Sequence, residues 1–360
     1  MSTVDTTLLP IRICGRLDGD AGSGRSAPTV ALTPRGVAVS RLGRLSLHTD
    51  DLARETWACA ITGRVARPLV SENVVWASAL PGRIVGVDLS SGEGLRRIDY
   101  AAPGVLRGRV ADTLLVVRPK ELEALDTSGR RLWARSVVTP RHILGINGSY
   151  VLSQNLGTQV LCIDALSGSE KWRFEPPVEK GREDRRFQTM AAGFPSVSTV
   201  GDDVLAITMD CRVFRISVET GEVVGRGRSP VSGVYAVTQD AVYFKTPFVL
   251  SEFSHRDFVE VNRIEHRTET EPLYHGAEPS VNGVCVTPKT AIWTTMDGAL
   301  MAVSRTEGPG GRRRVWMERL PGAIIAISDA PVAGTDYFYY TKKSPEGMEL
   351  LCFGGLQAAG

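Results

Sequence analysis

Apolar residues in this chain come in short runs rich in Val, Ile, Leu and aromatics, each closed by Gly, Pro, Asn or Asp. No long stretch repeats apolar residues at i, i+3, i+4 and i+7, so the pattern predicts strands and turns rather than helices. The clearest unit is SYVLSQNLGTQVLCIDALSGSEKWRFEPP, residues 149–177. It reads strand, turn, strand, tight turn, strand. Asp164 precedes the tight turn, Gly168 supplies its backbone geometry, and Trp172 follows on the next strand.

The same grammar recurs. TLLVVRPKELEALDTSGRRLWARSV carries Asp126, Gly129 and Trp133, and NVVWASALPGRIVGVDLSSGEGLRRIDY carries Asp88 and Gly92 with Ile98 near the Trp place. GVAVSRLGRLSLHTDDLARETWACAI carries Trp57, DVLAITMDCRVFRISVETGEVVGRGR carries Gly221 without an aromatic, and AIWTTMDGALMAVSRTEGPGGRRRVWMERL carries Trp316. A weaker copy beginning VYFKTPFVLSEFSHRDF ends at Tyr274, and DYFYYTKKSPEGMELLCFGG stops after a third strand. Gly92, Gly129, Gly168 and Gly221 are spaced by 37, 39 and 53 residues, bracketing the ~40–50 residues of a four-stranded propeller blade.

The predicted fold is therefore all-β: an eight-bladed β-propeller of four-stranded antiparallel blades, one domain over residues 1–360. Seven blades is the alternative count, and an open β-solenoid or paired sandwiches the alternative architecture. A lone blade cannot bury both faces, so neighbours must stack around an axis. The unfinished last unit predicts closure by the N-terminal strand, residues 8–17, against residues 349–354. Residues 18–27 then read as a flexible linker. Within them GDAGSGRS looks like a phosphate loop with Arg25 in the lysine place, but strand-like APTVALTP follows where a helix N-terminus is needed.

The motifs IDALSGSEKWRF, ALDTSGRRLW and VDLSSGEG resemble the PQQ-like repeat family, found in quinoprotein dehydrogenase propellers and in the propeller lipoprotein of outer-membrane protein assembly. The resemblance spans roughly residues 27–355 and is strong in the second to fifth units. It implies eight blades, with Trp57, Trp133, Trp172, Tyr274 and Trp316 docking between neighbours. It is specific for fold and poor for function. Quinone binding is disfavoured, because Cys14, Cys59, Cys162, Cys211, Cys285 and Cys352 include no adjacent pair. An envelope role is disfavoured by the lack of a lipobox-like signal.

Charge and composition narrow the classes further. A formal net charge of +2 gives no general pull toward nucleic acid or acidic membranes. No apolar run approaches the ~20 residues of a membrane span. No secretory leader pattern opens the chain, and the cysteines read as buried free thiols. These features predict a cytoplasmic protein, and the Arg, Gly and Ala content suggests a high-GC bacterial gene.

Candidate chemistry concentrates in the sixth unit. His255, His266 and His275 lie near Asp257, Glu252, Glu260 and Glu265, and residues 249–258 read as a loop insertion. His255, Asp257, His266 and His275 are the acid–base candidates. The spacing matches no metal motif, so no cofactor is called for, with a divalent metal at these histidines as the remaining option. Arg107, Arg109, Arg141 and His142 fall near inner-strand starts and would attract an anion if they face the channel. The charged segment 178–188 and Arg312–Arg314 read as solvated loops, the former also suiting a docking partner, and Asn147-Gly148 as a hairpin turn. Two functions remain: a non-catalytic scaffold that binds a small molecule or protein at the channel mouth, or a cyclase, lyase or hydrolase of specialised metabolism that uses the acid–base groups there.

Overall fold

The computed structural model describes residues 12–18, 28–80, 82–99, 104–118, 121–136, 140–154, 159–177, 196–230, 235–238, 241–245, 249–265, 285–287, 289–294, 299–306, 315–319, 332–333, 337–344 and 347–354. Regular structure among them is all strand, in eight antiparallel sheets. Sheet 1 comprises Thr29–Thr33, Gly36–Arg41, Arg44–His48 and Glu55–Ala60. In sheet 2 the first strand is split into Arg64–Val65 and Leu69–Ser71, followed by Val74–Leu80, Arg83–Asp88 and Gly94–Asp99. Sheet 3 is Val105–Val110, Thr113–Arg118, Glu121–Asp126 and Arg131–Ser136; sheet 4 is Pro140–Ile146, Ser149–Gln154, Val160–Asp164 and Glu170–Phe174. Sheet 5 is Ser196–Val200, Asp203–Ile207, Arg212–Ser217 and Val223–Arg228; sheet 6 is Tyr235–Val237, Ala241–Lys245, Val249–Ser254 and Glu260–Glu265. Sheet 7 is Cys285–Val286, Thr290–Thr294, Ala299–Ser304 and Val315–Arg319. Sheet 8 has Val332–Ala333, Phe338–Ser344 and Gly347–Gly354, and takes its fourth strand, Arg12–Asp18, from the start of the chain.

The count is eight rather than seven. Arg12 pairs with Gly354 and Asp18 with Glu349, so the N-terminal strand completes the last sheet. Asp18, assigned to the linker by sequence, ends this strand; residues 8–11 and 19–27 lie outside the described residues. First strands of successive sheets approach one another and form the innermost layer. Apolar side chains fill the spaces between sheets: Trp57, Val75 and Val87 join sheets 1 and 2, and Trp172, Phe174, Phe214 and Ile216 join sheets 4 and 5. Val37 and Leu52 of sheet 1 meet Tyr339 and Leu350 of sheet 8.

One backbone group organises these seams. In sheets 2, 4, 5 and 7 the residue after the third strand turns its N–H inward and its carbonyl outward. Leu89 N–H donates to Asn73 O, Ala165 N–H to Gly148 O and Arg305 N–H to Lys289 O, within their own sheets. The carbonyl is left facing the preceding sheet, which supplies the donor. Trp57 Nε1 donates to Leu89 O at 2.9 Å, Trp133 Nε1 to Ala165 O at 2.8 Å and Trp172 Nε1 to Val218 O at 2.7 Å. Leaving such a carbonyl buried and unpaired would cost about 1–3 kcal/mol. The indole lies flat on the turn glycine that follows. A methyl on Gly168 would come within 2.6 Å of the Trp133 ring, and one on Gly221 within 2.5 Å of Trp172. Both glycines also have positive φ, 70° and 75°, so close approach and backbone conformation both require glycine.

A bulge aims the docking residue. In sheets 1 to 6 the fourth strand carries one extra residue, at Thr56, Leu95, Leu132, Lys171, Val224 and Val261. The next residue then points at the following sheet. In sheets 1, 3 and 4 it is Trp57, Trp133 and Trp172 and in sheet 6 Asn262; in sheets 2 and 5 the position holds Arg96, which lines the seam between sheets 1 and 2 instead, and Gly225, which has no side chain. The seams without tryptophan on the fourth strand are met differently. Between sheets 2 and 3, Trp76 of the second strand packs beside Ile98. Between sheets 5 and 6 the aromatic comes from the other side: Phe258, in the turn of sheet 6, packs on Gly225 and Gly227. Arg215 Nη1 then supplies the donor to His255 O at 3.1 Å. Between sheets 6 and 7, Asn262 Nδ2 donates to Arg305 O at 3.4 Å. Between sheets 8 and 1, Tyr339 Oη donates to Asp50 O at 2.6 Å.

Several sequence expectations change here. Residues 249–258 are not a loop insertion but a third strand and its hairpin turn. The turn was hidden because Phe258, with φ 55°, stands where other units have glycine. Asn262, not Tyr274, occupies the docking position of the sixth unit; Tyr274 lies outside the described residues. Trp316 pairs with Ala302 on the fourth strand of sheet 7, the register the docking position has elsewhere.

Two predictions follow from the seams. Phe258→Gly should empty the space over Gly225 and Gly227 and destabilise the protein by about 2–4 kcal/mol, the cavity cost less the relieved left-handed strain. Gly225→Trp alone should destabilise by overpacking against Phe258. The double variant restores the arrangement of Trp172 and Gly221, so denaturant titration should find it more stable than either single variant.

His48 ends the third strand of sheet 1. It is buried, with Nε2 2.9 Å from Ser46 Oγ and Nδ1 without a hydrogen-bond partner. Burial depresses its pKa below 6.5, with Glu55 opposing and Arg41 and Arg44 reinforcing. A base with a depressed folded pKa gives stability that is full above 6.5 and is lost as pH falls below it. The denaturation midpoint should fall between pH 7.5 and 5.5, and His48→Gln should flatten that part of the profile.

Candidate binding face

The turns joining first to second and third to fourth strands open on one face of the sheets. The opposite face receives the second-to-third turns and every connection from a fourth strand to the next first strand. The longest of those connections, residues 175–195, 266–284 and 320–331, all begin and end on this second face. The first strands enter from it, so their opening residues form the rim of its axial mouth.

Three successive first strands are interrupted near that entry, each time at an arginine. In sheet 2, Arg67 and Pro68 separate Arg64–Val65 from Leu69–Ser71. Ala66 N–H still bonds Ser78 O and Leu69 pairs with Trp76, so Arg67 and Pro68 together oppose Ala77. In sheet 3 the register jumps from Leu106 to Gly108, leaving Arg107 as the bulged residue. In sheet 4 it jumps from Pro140 to His142, leaving Arg141. Arg67 and Arg107 are exposed. The first strands of sheets 1, 5 and 6 pair without a bulge. An innermost edge strand has no partner on its axial side, so a bulge there frees one residue from both ladders. Pro68, lacking an N–H, suits such a position. Arg67, Arg107 and Arg141 thus stand at bulge positions on three neighbouring first strands, and arginine is the residue suited to carboxylate or phosphate recognition.

The sequence candidates divide. Arg107 and Arg141 belong to this arc, with His142 next to Arg141 on the same strand. Arg109 does not. It lies nearer the far end of its strand and pairs with Asp112 at 3.4 Å. Arg67 was missed, because Pro68 disguises the strand around it.

Of the acid–base candidates, His255 and Asp257 are among the described residues, and both lie away from this axial mouth. His255 sits in the third-to-fourth turn of sheet 6, on the opposite face and away from the innermost strands. Its carbonyl serves the seam, and its Nδ1 is buried without a hydrogen-bond partner. Nearby, Arg215 forms an ion pair with Asp203, Nε to Oδ2 3.2 Å; burial raises the Asp203 pKa, partly offset by Arg215 and His255. Asp257 is an exposed brace of the same turn, its pKa lowered first by the Ser254 hydroxyl and then by the Val259 amide. His266 and His275 lie outside the described residues. No group of three or more His, Cys, Asp or Glu among the described residues is placed to hold a metal ion.

A polar cluster that the sequence did not reveal lies in the seam between sheets 6 and 7. Arg305 Nη2 pairs with Glu252 at 3.0 Å, and Asn262 Nδ2 donates to the same carboxylate at 3.2 Å. The Arg305 guanidinium lies 5.3 Å from the Tyr243 ring centre. Burial and the neighbouring Glu252 push the Tyr243 hydroxyl well above its ordinary pKa. These groups replace an indole as seam filling. Asn147 and Gly148 form the expected turn with φ 45° and 71°, and Asn147 Nδ2 reaches Asp202 of the next sheet at 3.0 Å.

Comparison with known proteins agrees with this architecture. The sequence family described as outer membrane protein assembly factor BamB matches residues 118–245. Among curated proteins, no sequence matches the chain. BamB from Moraxella catarrhalis superposes with a TM-score of 0.65 at 13% identity, over 96% of this chain and 99% of that one. A europium-containing methanol dehydrogenase gives 0.62 at 12% identity, over 98% and 95%. Saccharomyces cerevisiae Sqt1 gives 0.63 at 10% identity, over 93% and 97%. At these identities the likeness is one of fold. The chain is thus an eight-sheet β-propeller whose repeat is similar to that of the PQQ-like propeller family.

Proposed function

We propose that this protein is a non-catalytic binding propeller, cytoplasmic in location, whose axial mouth receives an acidic segment of a protein partner. The observation that carries the reading is the run of bulged arginines, Arg67, Arg107 and Arg141, on three neighbouring innermost strands. Bulges persist where they re-aim a side chain, and here each one falls at an arginine near the entry of a first strand. The matching family is described as an assembly factor, which also supports a role in holding a partner. Recognition of this kind needs no cofactor. Carboxylates would be gathered by charge and then fixed by paired guanidinium hydrogen bonds.

A decaglutamate peptide provides the test. Titration calorimetry at low salt should detect binding that weakens as ionic strength rises. The triple variant Arg67→Glu, Arg107→Glu, Arg141→Glu should bind at least about tenfold more weakly, with its thermal midpoint unchanged because these side chains serve no ladder. Equal affinity of the triple variant would refute the reading.

A further inference from the structure

The seam between sheets 1 and 2 contains a cavity of about 440 Å³ at the outer edge of the molecule. Its walls are Cys59 from the fourth strand of sheet 1, and Arg83, Val85, Leu95, Arg96 and Arg97 from sheet 2. The equivalent space between sheets 4 and 5 explains why it is there. Cys59 lies two residues beyond the docking Trp57, as Phe174 lies two beyond Trp172. Val85 lies three residues before Asp88, as Phe214 lies three before Ser217; both Asp88 and Ser217 open the hairpin turn. In the seam between sheets 4 and 5, Phe174 and Phe214 pack ring to ring at 5.2 Å, with the Arg212 guanidinium 5.7 Å from the Phe214 centroid. In the seam between sheets 1 and 2, the two rings are replaced by a thiol and an isopropyl group. The arginine is kept, because Arg83 is the counterpart of Arg212. This seam therefore lacks the aromatic pair found between sheets 4 and 5 and carries a cation at the position that covers it there.

The charge of the lining adds a second constraint. It includes three arginines and no carboxylate. Asp99, which pairs with Arg83 at 2.6 Å and with Arg97 at 2.7 Å, is outside it. Leu95, the bulged residue of its strand, is 42% exposed and offers an apolar lip. We infer that this cavity is a binding site for a planar aromatic acid, its ring taking the place of the missing phenylalanine pair beside Arg83 and its acidic group meeting the arginines at the opening. Ring burial and a cation over the ring face supply the attraction. The site is on the outer wall, remote from the axial mouth, and is independent of the function proposed for that mouth.

The probe is 2-naphthoate, with its saturated counterpart decahydro-2-naphthoate as the control for charge and size. The intact protein should bind 2-naphthoate with a Kd below about 1 mM, and the saturated acid at least about tenfold more weakly, since it lacks a π face. Cys59→Phe restores one missing ring and should weaken binding at least about tenfold while the thermal midpoint holds or rises. A readout on the unaltered protein removes dependence on that variant. Saturating 2-naphthoate should slow alkylation of Cys59 by iodoacetamide and leave Cys211 and Cys285 unaffected, as read by peptide mass mapping. The tripeptide Gly-Gly-Phe presents the same chemistry at a chain end, so its affinity relative to 2-naphthoate separates a chain terminus from a free aromatic acid. Unchanged Cys59 alkylation at millimolar 2-naphthoate, or equal binding by folded Cys59→Phe, would overturn the inference.

Discussion

A single carbonyl, repeated around the molecule, sets the terms for everything else. Where third strands end in sheets 2, 4, 5 and 7, the following residue commits its N–H to its own sheet and presents its C=O to the sheet before it. Water has little access to this seam, so a donor must come from the preceding sheet. An indole meets both needs of the site, with one N–H for the carbonyl and a broad apolar face for the gap. The turn beneath must lack a Cβ, because the ring rests directly on it. Asp at the strand end, Gly in the turn and Trp on the next strand thus form one requirement distributed over two sheets.

The irregular seams show how strictly the carbonyl is served and how freely the rest varies. Arg215, Asn262 and Tyr339 take over as donors where tryptophan is missing. They come from a third, a fourth and a second strand respectively. Volume is supplied separately, by Phe258 from the opposite sheet or by the Arg305 and Tyr243 stack. Where neither a ring nor a long side chain arrives, as beside Cys59 and Val85, the seam stays open. Variation in seam filling is thus the source of the irregular features of the outer wall, whereas bulges in the innermost strands generate those of the mouth.

The parts legible in sequence were those whose physics is local. The Asp164, Gly168 and Trp172 spacing announces a turn, a positive φ and a docking ring, and it fixed strand count and blade number. The pairing of the N-terminal strand with the last unit was readable because a three-strand last unit leaves an edge that must be paired. The sixth unit misled on its strands because its turn uses Phe258 in a left-handed conformation, so SHRDF reads as an insertion. Arg107 and Arg141 could be placed on innermost strands from the turns before them, but their bulges depend on cross-strand register, which sequence does not display. The cavity was invisible, since it exists only when Cys59 and Val85, far apart in the chain, are set face to face.

The exchange at Phe258 bears on how such a ring can evolve. Because sheet 5 has emptied its docking position to Gly225 and sheet 6 fills it from its own turn, these two units fit only each other. A copy of the sixth unit inserted after a tryptophan-bearing one would drive Phe258 into an indole. A copy of the fifth placed before a glycine turn would leave a hole. Neighbouring repeats have become lock and key, so shuffling, duplication or loss of a single unit is closed off at this seam, and the order of the repeats around the axis is written into their side chains.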